Sequence, residues 1–261
     1  MGAPLKNPPV YFTVAQVRFN ALLKLAEYLP SIQEAMRRAG FPDFVSHKSI
    51  ALQIVMQDGQ AVPTPLPQER FLFGTTDRAH CFVMGPEFLT LQSTNYGTFE
   101  EFSGMFLKGL ERVHELVQLD FIDRVGLRYL DHVAPRAPDT LDKYLAPEVL
   151  GMSARFGGTP VHSFSETLNV VKGVRLLSRV VIQSGGLSFP PDLLPENMEI
   201  NKKFLAYNGH HALLDTDGSV EGREVFSSDF VWSQLQAIHE VIGTAFKATV
   251  TKHALKIWDE K

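Results

Sequence analysis

The segment LERVHELV at positions 110–117 is followed, 125 positions later, by LQAIHEVI at 235–242, with the same apolar pattern around a His-Glu pair. Both segments repeat apolar residues at helical spacing, which predicts two amphipathic helices. A second match, VRF at 17–19 and LRY at 127–129, lies 110 positions apart in stretches rich in β-branched and aromatic residues. Such stretches are typical of strands. The matches predict two related halves, with about 15 more loop residues in the second half.

The first half is predicted to have the order strand, helix, four strands, helix. Its first strand is Pro9 to Asn20, and a helix follows from Pro30 to Gly40. An antiparallel meander comes next, with turns such as Asp58-Gly59 between its strands. The four predicted strands are Ser49–Met56, Arg70–Gly74, Ala79–Met84 and Phe88–Gln92. Thr98, with Glu101 three residues later, forms a capping box that begins the closing helix.

The second half is predicted to repeat this order. Its first strand is Phe121 to Val133, and its closing helix begins at Ser227 or Ser228. A loop rich in Gly, Ser and Pro covers Ser184 to Glu196, and Asn208-Gly209 is a favoured hairpin turn. The elements predicted in between are a short helix from Asp139-Thr140 and strands at Val161–Val171, Val174–Gln183, Lys203–Tyr207 and His211–Leu214.

The predicted fold class is α+β, in a single domain over 1–261 with halves 9–120 and 121–261. Duplicated strand-helix-four strands-helix units are the element order of the TATA-binding-protein fold. In that arrangement one curved antiparallel sheet carries the helices on one face, and the other face is free for a ligand. A duplicated small-molecule-binding fold of the effector-binding type, with shorter units, is the alternative topology.

The composition restricts the classes of function. The chain has 261 residues, a formal net charge of -4 and one cysteine, Cys81. An intramolecular disulfide and a Cys-based zinc site are therefore excluded, and a reducing cytoplasm is the simplest location. The first residues lack the apolar stretch of a signal peptide, and no apolar run is long enough to span a membrane. Since the strands carry few Lys or Arg, we expect no tight binding of duplex DNA by the isolated protein.

Several short motifs together resemble a sporadically distributed, uncharacterised prokaryotic protein family of about this length. The motifs are NPPV at 7–10 leading to VRF at 17–19, DRVGLRYLD at 123–131, LLDTD at 213–217, and IHEVI at 238–242 followed by Phe246 and Trp258. This family has no established activity, so the resemblance implies no catalytic residues. Its sporadic occurrence implies an accessory role, such as defence against foreign genetic elements.

Polar residues on or near the predicted strands are candidates for ligand binding. They are Arg18, Arg128, Tyr129, Asp131, His132 and His210. The arginine in each half's first strand could place two guanidinium groups at one surface, where they would bind a carboxylate or phosphate. The alternative is a structural ion pair within the sheet. Because strand residues alternate, Tyr129 and Asp131 share one face, while Arg128 and His132 share the other.

Recognisable catalytic and cofactor motifs are absent. The histidine and the glutamate of one repeated pair cannot bind the same ion, because the side chains of adjacent helical residues point about 100° apart. Asp215-Thr-Asp217-Gly218 lacks the further ligands of a calcium loop and is predicted to be a turn. Neither a phosphate-binding glycine loop nor a nucleophile elbow occurs. We therefore expect no cofactor, no metal and no catalytic residue.

Three functions remain open from the sequence. The first is a non-catalytic binding or adaptor module for a protein partner. The second is a sensor that binds a small anionic ligand through Arg18 and Arg128. The third is an enzyme without a recognisable motif, for which Arg128, Asp131 and His132 with His210 are the available polar groups.

Overall fold

The computed structural model of the chain describes residues 5–57, 60–156 and 161–260. The strands are β1 Val10–Phe19, β2 Asp43–Gln57, β3 Gln60–Gly74, β4 His80–Gly85, β5 Phe88–Ser93, β6 Phe121–Val133, β7 Ser163–Val171, β8 Val174–Gly185 and β9 Gly209–Val225. The α-helices are α1 Leu25–Arg38, α2 Phe99–Val117, α3 Ser153–Phe156, α4 Lys202–Leu205, α5 Ser228–Thr249 and α6 Lys252–Asp259. Two short 3-10 helices, Leu141–Lys143 and Pro147–Val149, follow β6.

All nine strands form one antiparallel sheet in the order β2-β3-β4-β5-β1-β6-β9-β8-β7. The predicted α+β class with a single antiparallel sheet is thus confirmed. Both β1 and β6 lie in the interior of the sheet and pair with each other. The two halves of the chain are therefore joined through their first strands.

The first half has the predicted order of one strand, one helix, four strands and one helix. The Thr98 side chain accepts the backbone N–H of Glu101, and the Glu101 side chain accepts the N–H of Thr98, so the capping box is present. The first helix begins at Leu25 instead of Pro30, because Leu25 is buried and extends the apolar face of α1. The Asp58-Gly59 turn lies outside the described residues.

The second half differs from the predicted order. The predicted strand Lys203–Tyr207 is wrong, since Lys202–Leu205 is a helical turn whose N-cap Asn201 accepts the N–H of Lys203. The predicted strand His211–Leu214 is only the start of the 17-residue β9. In the described residues, three strands follow β6 instead of four.

The turn predicted at Asp215-Thr-Asp217-Gly218 is also wrong, because these residues lie inside β9. Asp215 is held there by bonds to arginines on the neighbouring strands. Gly218 suits the same strand because α5 packs on it: a Cβ atom at Gly218 would lie 2.5 Å from Cγ2 of Ile238. Tertiary contacts therefore override the turn preference of the sequence.

One face of the sheet, the helix face, carries the main core. Side chains from α1, α2 and α5 pack in one cluster with strand residues such as Ala15, Val17, Val125 and Leu127. Apolar residues at helical spacing on α2 and α5 provide this contact. At the far end of the same face, α6 and the first 3-10 helix form a second cluster around Tyr144.

The opposite face was predicted to be free, and this prediction is wrong in part. Residues 186–201, here named the strap, cross this face and lead into α4. We call this face of the sheet the strap face. Phe189 and Leu193 of the strap pack against the cluster that contains Tyr11 and Phe12, while Met198 contacts both this cluster and the one around Cys81. The apolar residues within the Gly- and Pro-rich loop explain why it is held on the sheet instead of extending into solvent.

Two glycines of α2 provide a matched test of this packing. A Cβ atom at Gly109 would lie 2.2 Å from Cζ of the buried Phe82, whereas one at Gly104 would meet nothing within 4 Å. We expect Gly104→Ala to raise the free energy of unfolding by about 0.5–1 kcal/mol, as alanine favours helix. Gly109→Ala should lower it by about 1–3 kcal/mol through overpacking. Urea denaturation followed by circular dichroism measures both changes, and equal effects would contradict the described packing of α2 on β4.

Candidate functional site

The strap is fixed at several points along the strap face. Tyr11 donates its hydroxyl hydrogen to the carbonyl oxygen of Ser188 at 2.9 Å. Further along, Arg70 on β3 forms an ion pair with Glu196 at 2.9 Å. Asn197 donates to Asp43, at the start of β2, at 2.9 Å. These contacts connect the strap to three strands of the first half, β1, β3 and β2.

Arg128 is the centre of an ion-pair network beneath the strap. Its Nε donates to Oδ1 of Asp215 at 2.7 Å, and its Nη2 donates to Oδ2 at 2.8 Å. Its Nη1 also donates to Asp192 of the strap at 2.8 Å. Arg179 on β8 bonds to the same Asp215 at 3.2 Å and to Glu166 on β7 at 2.6 Å. The network joins four strands, β6, β9, β8 and β7, to the strap.

The Arg128–Asp215 pair is buried, with side-chain exposures of 10% and 4%, whereas Asp192 is 62% exposed. Burial acts to lower the pKa of Arg128, but its hydrogen bonds to Asp215 and Asp192 outweigh burial and raise that pKa. The hydrogen bond from Arg128 lowers the pKa of Asp192. Arg128 is therefore a charged structural residue with two carboxylate partners, which matches the ion-pair alternative for this position.

Arg18 is not brought close to Arg128. It is exposed on the strap face, and its Cα is paired across the sheet with that of Arg124, four residues before Arg128. At about 3.3 Å per residue, this spacing places the two backbone positions about 13 Å apart. The two arginines are thus on one face, as expected, but do not form a compact pair.

Tyr129 and Asp131 lie on the helix face, on the other side of the sheet from Arg128. The Tyr129 hydroxyl is hydrogen-bonded to Tyr96 at 3.2 Å and to Nδ1 of His239 on α5 at 3.1 Å. Asp131 is 7% exposed, and burial raises its pKa to about 7. This is a buried carboxyl group without an ion-pair partner in the described part of the chain.

His132 lies on the strap face and contacts His211, with ring centroids 4.8 Å apart. Burial, with a smaller contribution from His211, lowers the pKa of His132 to about 4. His210 is 3.2 Å from the Ser184 hydroxyl, and its carbonyl oxygen accepts from Tyr207. The six candidate residues therefore occupy separate places on the two faces of the sheet.

A cavity of about 520 Å³ opens between the strap and the sheet, beside the ion-pair network. Its apolar walls include Tyr11, Phe164, Val181, Phe189 and Leu213. Its polar end consists of Glu166, Arg179, Asp192 and Asp215. None of these four residues was among the sequence candidates. The period-two spacing of Leu213, Asp215 and Asp217 is the signal that could have placed Asp215 on a strand face.

The edge strand β7 adjoins this cavity and exposes apolar side chains. Phe164, Leu168 and Val170 are 55%, 51% and 75% exposed. They alternate along β7 with residues of the other face, and Phe164 and Glu166 also line the cavity. Apolar surface of this kind, next to a concave apolar pocket, is typical of binding sites.

Comparison of the chain with protein-family models found no match, and a search of curated proteins found no significant similarity. None of the helices in the described residues combines the length and apolar character needed to cross a membrane. Within residues 5–57, 60–156 and 161–260, no three His, Cys, Asp or Glu side chains gather closely enough to hold a metal ion.

The ion-pair network leads to a prediction of stability. Asp215→Ala leaves the buried Arg128 without its bidentate partner, so we expect a loss of about 3 kcal/mol or more in the free energy of unfolding. Asp123→Ala removes the carboxylate of an exposed pair with Arg223 and should have a far smaller effect. Chemical denaturation of both variants compares them directly. Similar losses would show that the network is not a structural centre.

Asp131 leads to a prediction of pH dependence. Its folded-state pKa of about 7 lies above the ordinary aspartate value of 3.8, so the folded protein binds this proton more tightly than the unfolded chain. The contribution of Asp131 to the free energy of unfolding should therefore be greatest below about pH 4 and fall as the pH rises towards 7. Asp131→Asn should remove that fall and raise the melting temperature at pH 8.

The control for this measurement is Asp120→Asn, which changes an exposed carboxylate. Thermal denaturation between pH 4 and pH 8 should show a flattened profile for Asp131→Asn alone. If the two variants and the unmodified protein lose stability in parallel over this range, Asp131 is not the titrating group.

Proposed function

We propose that the protein is a non-catalytic binding module that takes an extended segment of a protein partner along the outer edge of β7. One side chain of that segment enters the cavity under the strap. The observation that carries the proposal is the exposed apolar row on an edge strand, directly beside the cavity. Addition of a strand to a sheet edge, with pockets for alternate side chains, is an established mode of peptide recognition.

The backbone of β7 supports this mode of binding. β7 is the terminal strand of the sheet, and among the described residues no strand pairs with its outer side. Its sequence, SFSETLNVV, contains neither the proline nor the lysine with which proteins often protect an edge strand. Free N–H and C=O groups along this edge can therefore form a ladder with a partner strand.

The cavity suggests the chemistry of the side chain that it takes. Its walls are apolar, while its polar end has three carboxylates, from Glu166, Asp192 and Asp215, beside one guanidinium, from Arg179. The nearby Arg128 brings a second positive charge. A partner side chain with an apolar body and a hydrogen-bond donor or cation at its tip fits this distribution best.

We also propose that the halves 9–120 and 121–261 are duplicates with the TATA-binding-protein-like order. Gln16 pairs with Gly126, 110 positions later, and the same offset relates Arg18 to Arg128. A local twofold axis at this pair relates the order β1-β5-β4-β3-β2 to β6-β9-β8-β7. The second half then lacks its outermost strand, and the vacant position is the edge of β7, where we place the partner.

The anionic-ligand function based on Arg18 and Arg128 is less well supported. Arg128 already bonds to two carboxylates, so an anion would have to displace Asp192. Arg18 lies about 13 Å away along the sheet, which prevents a shared site for one small anion. The bonds of Arg128 to Asp192 and Asp215 favour a structural role for this arginine. Partner binding is therefore the main proposal.

Site-specific photocrosslinking tests the proposal in native cells. A photoreactive amino acid at Leu168 should crosslink to one extended segment of a partner protein, which mass spectrometry of the crosslinked peptides would identify. The same group at Val225, an exposed apolar residue at the end of β9, is the control and should not give that crosslink. In an otherwise unmodified protein, Leu168→Lys should weaken binding of the purified partner by at least about tenfold, because it replaces an exposed apolar side chain of β7 with a charge.

Three results would contradict the proposal. The first is a crosslink at Val225 equal to that at Leu168, since binding would then not be directed to β7. The second is unchanged partner affinity after Leu168→Lys. Crosslinks between two copies of the chain, without another protein, would show self-association at this edge and would also overturn the partner-binding function.

A further inference from the structure

A second concave site lies where the two ends of the described chain meet. The backbone N–H of Asn7 donates to the carbonyl oxygen of Trp258 at 2.8 Å, which brings the start of the chain against α6. Beside this contact is a cavity of about 330 Å³, here named the terminal pocket. It is separate from the β7 edge and does not depend on the proposed function.

The terminal pocket has a positive lining. Arg136 and Lys203 both line it, and its lining contains no aspartate or glutamate. Glu260 lies 3.7 Å from Arg136, but both side chains of this pair are about half exposed. Lys203 forms no ion pair in the described part of the chain, and its ammonium lies 4.6 Å from the centroid of the Phe204 ring. An anion entering the pocket would thus meet a cation that needs no displacement of another carboxylate.

His132 adds a buried polar group to the same wall. The residue is 5% exposed and lines the terminal pocket, and its Nε2 atom has no hydrogen-bond partner among the described residues. A buried polar atom without a partner is unfavourable, and structures usually supply one. Asp131 and His211, its neighbours on the sheet, do not supply a hydrogen bond to Nε2.

Aromatic and apolar side chains form the rest of the lining. Trp258 and Phe204 are mostly buried, with Tyr207 and the pair Pro8-Pro9 beside them. Flat apolar surfaces of this kind contact a planar ring well. The pocket therefore combines walls suited to a ring with cations suited to an anionic group, in a volume at the small end of ligand sites.

We propose that the terminal pocket binds a small aromatic anion. The ring lies against Trp258 and Phe204, and the anionic group bonds to Lys203 and Arg136. His132 supplies a hydrogen bond to the polar group of the ligand. The ligand class follows from these residues: an anion without a ring loses the aromatic contacts, and a neutral ring loses the ionic ones.

The experiment uses phenyl phosphate as the probe and the fluorescence of Trp258 as the signal. The chain has two tryptophans, so Trp232→Phe, on α5 and away from the pocket, isolates that signal. Titration of the full chain should give saturable quenching by phenyl phosphate. Inorganic phosphate and phenol, tested separately, should each bind at least about tenfold more weakly. Isothermal titration calorimetry of the unmodified protein provides an independent affinity.

Adjacent lysines offer a matched pair of variants. Lys203→Met should weaken binding of phenyl phosphate by at least about tenfold, because it removes a charge-assisted contact. Lys202→Met changes a neighbouring exposed lysine outside the pocket lining and should leave the affinity unchanged. Both positions are exposed, so both variants should fold. No saturable binding up to about 5 mM probe, or equal effects of the two substitutions, would overturn the proposal.

Discussion

The antiparallel pairing of β1 with β6 is the constraint on which the rest of the molecule depends. It joins the two halves into one sheet, and its register assigns every side chain of these strands to the helix face or the strap face. A β-bulge between Val10 and Phe12 modifies the alternation, so that Tyr11 and Phe12 both reach the strap-face cluster. The bulge thereby provides the apolar surface on which Phe189 of the strap packs.

The two faces of the sheet then have different physical roles. The helix face buries the main core under α1, α2 and α5, and it also holds the Tyr129–His239 contact and the buried Asp131. The strap face carries a single layer of irregular chain, fixed by Asp192 on Arg128 and by Glu196 on Arg70. Because that layer is thin and incomplete, the strap face retains the cavities and the exposed side chains of β7.

Much of the sheet was predictable from local sequence. Alternation and turn residues predicted the number and order of the strands in the first half, although β2 and β3 begin at Asp43 and Gln60 instead of Ser49 and Arg70. The Thr98 capping box located α2, and strand parity correctly separated Tyr129 and Asp131 from Arg128 and His132. The candidate site was less predictable, because its bonds are long-range. Asp215 lies 87 residues from Arg128, and a turn-like Asp-Thr-Asp-Gly sequence concealed its place on β9. The predicted strand Lys203–Tyr207 was wrong, because the helical turn Lys202–Leu205 depends on the Asn201 cap and on the burial of Phe204.

Hydrogen–deuterium exchange on the complex purified from native cells tests the central claim most directly. The amides of β7 belong to an edge strand, and those that point outwards have no ladder partner in the isolated sheet among the described residues. We expect these amides to exchange rapidly in the isolated protein and to become protected in the complex, while β2 at the opposite edge stays unchanged. Protection confined to β2 or to the helices, with β7 exchanging as in the isolated protein, would contradict partner binding at the β7 edge.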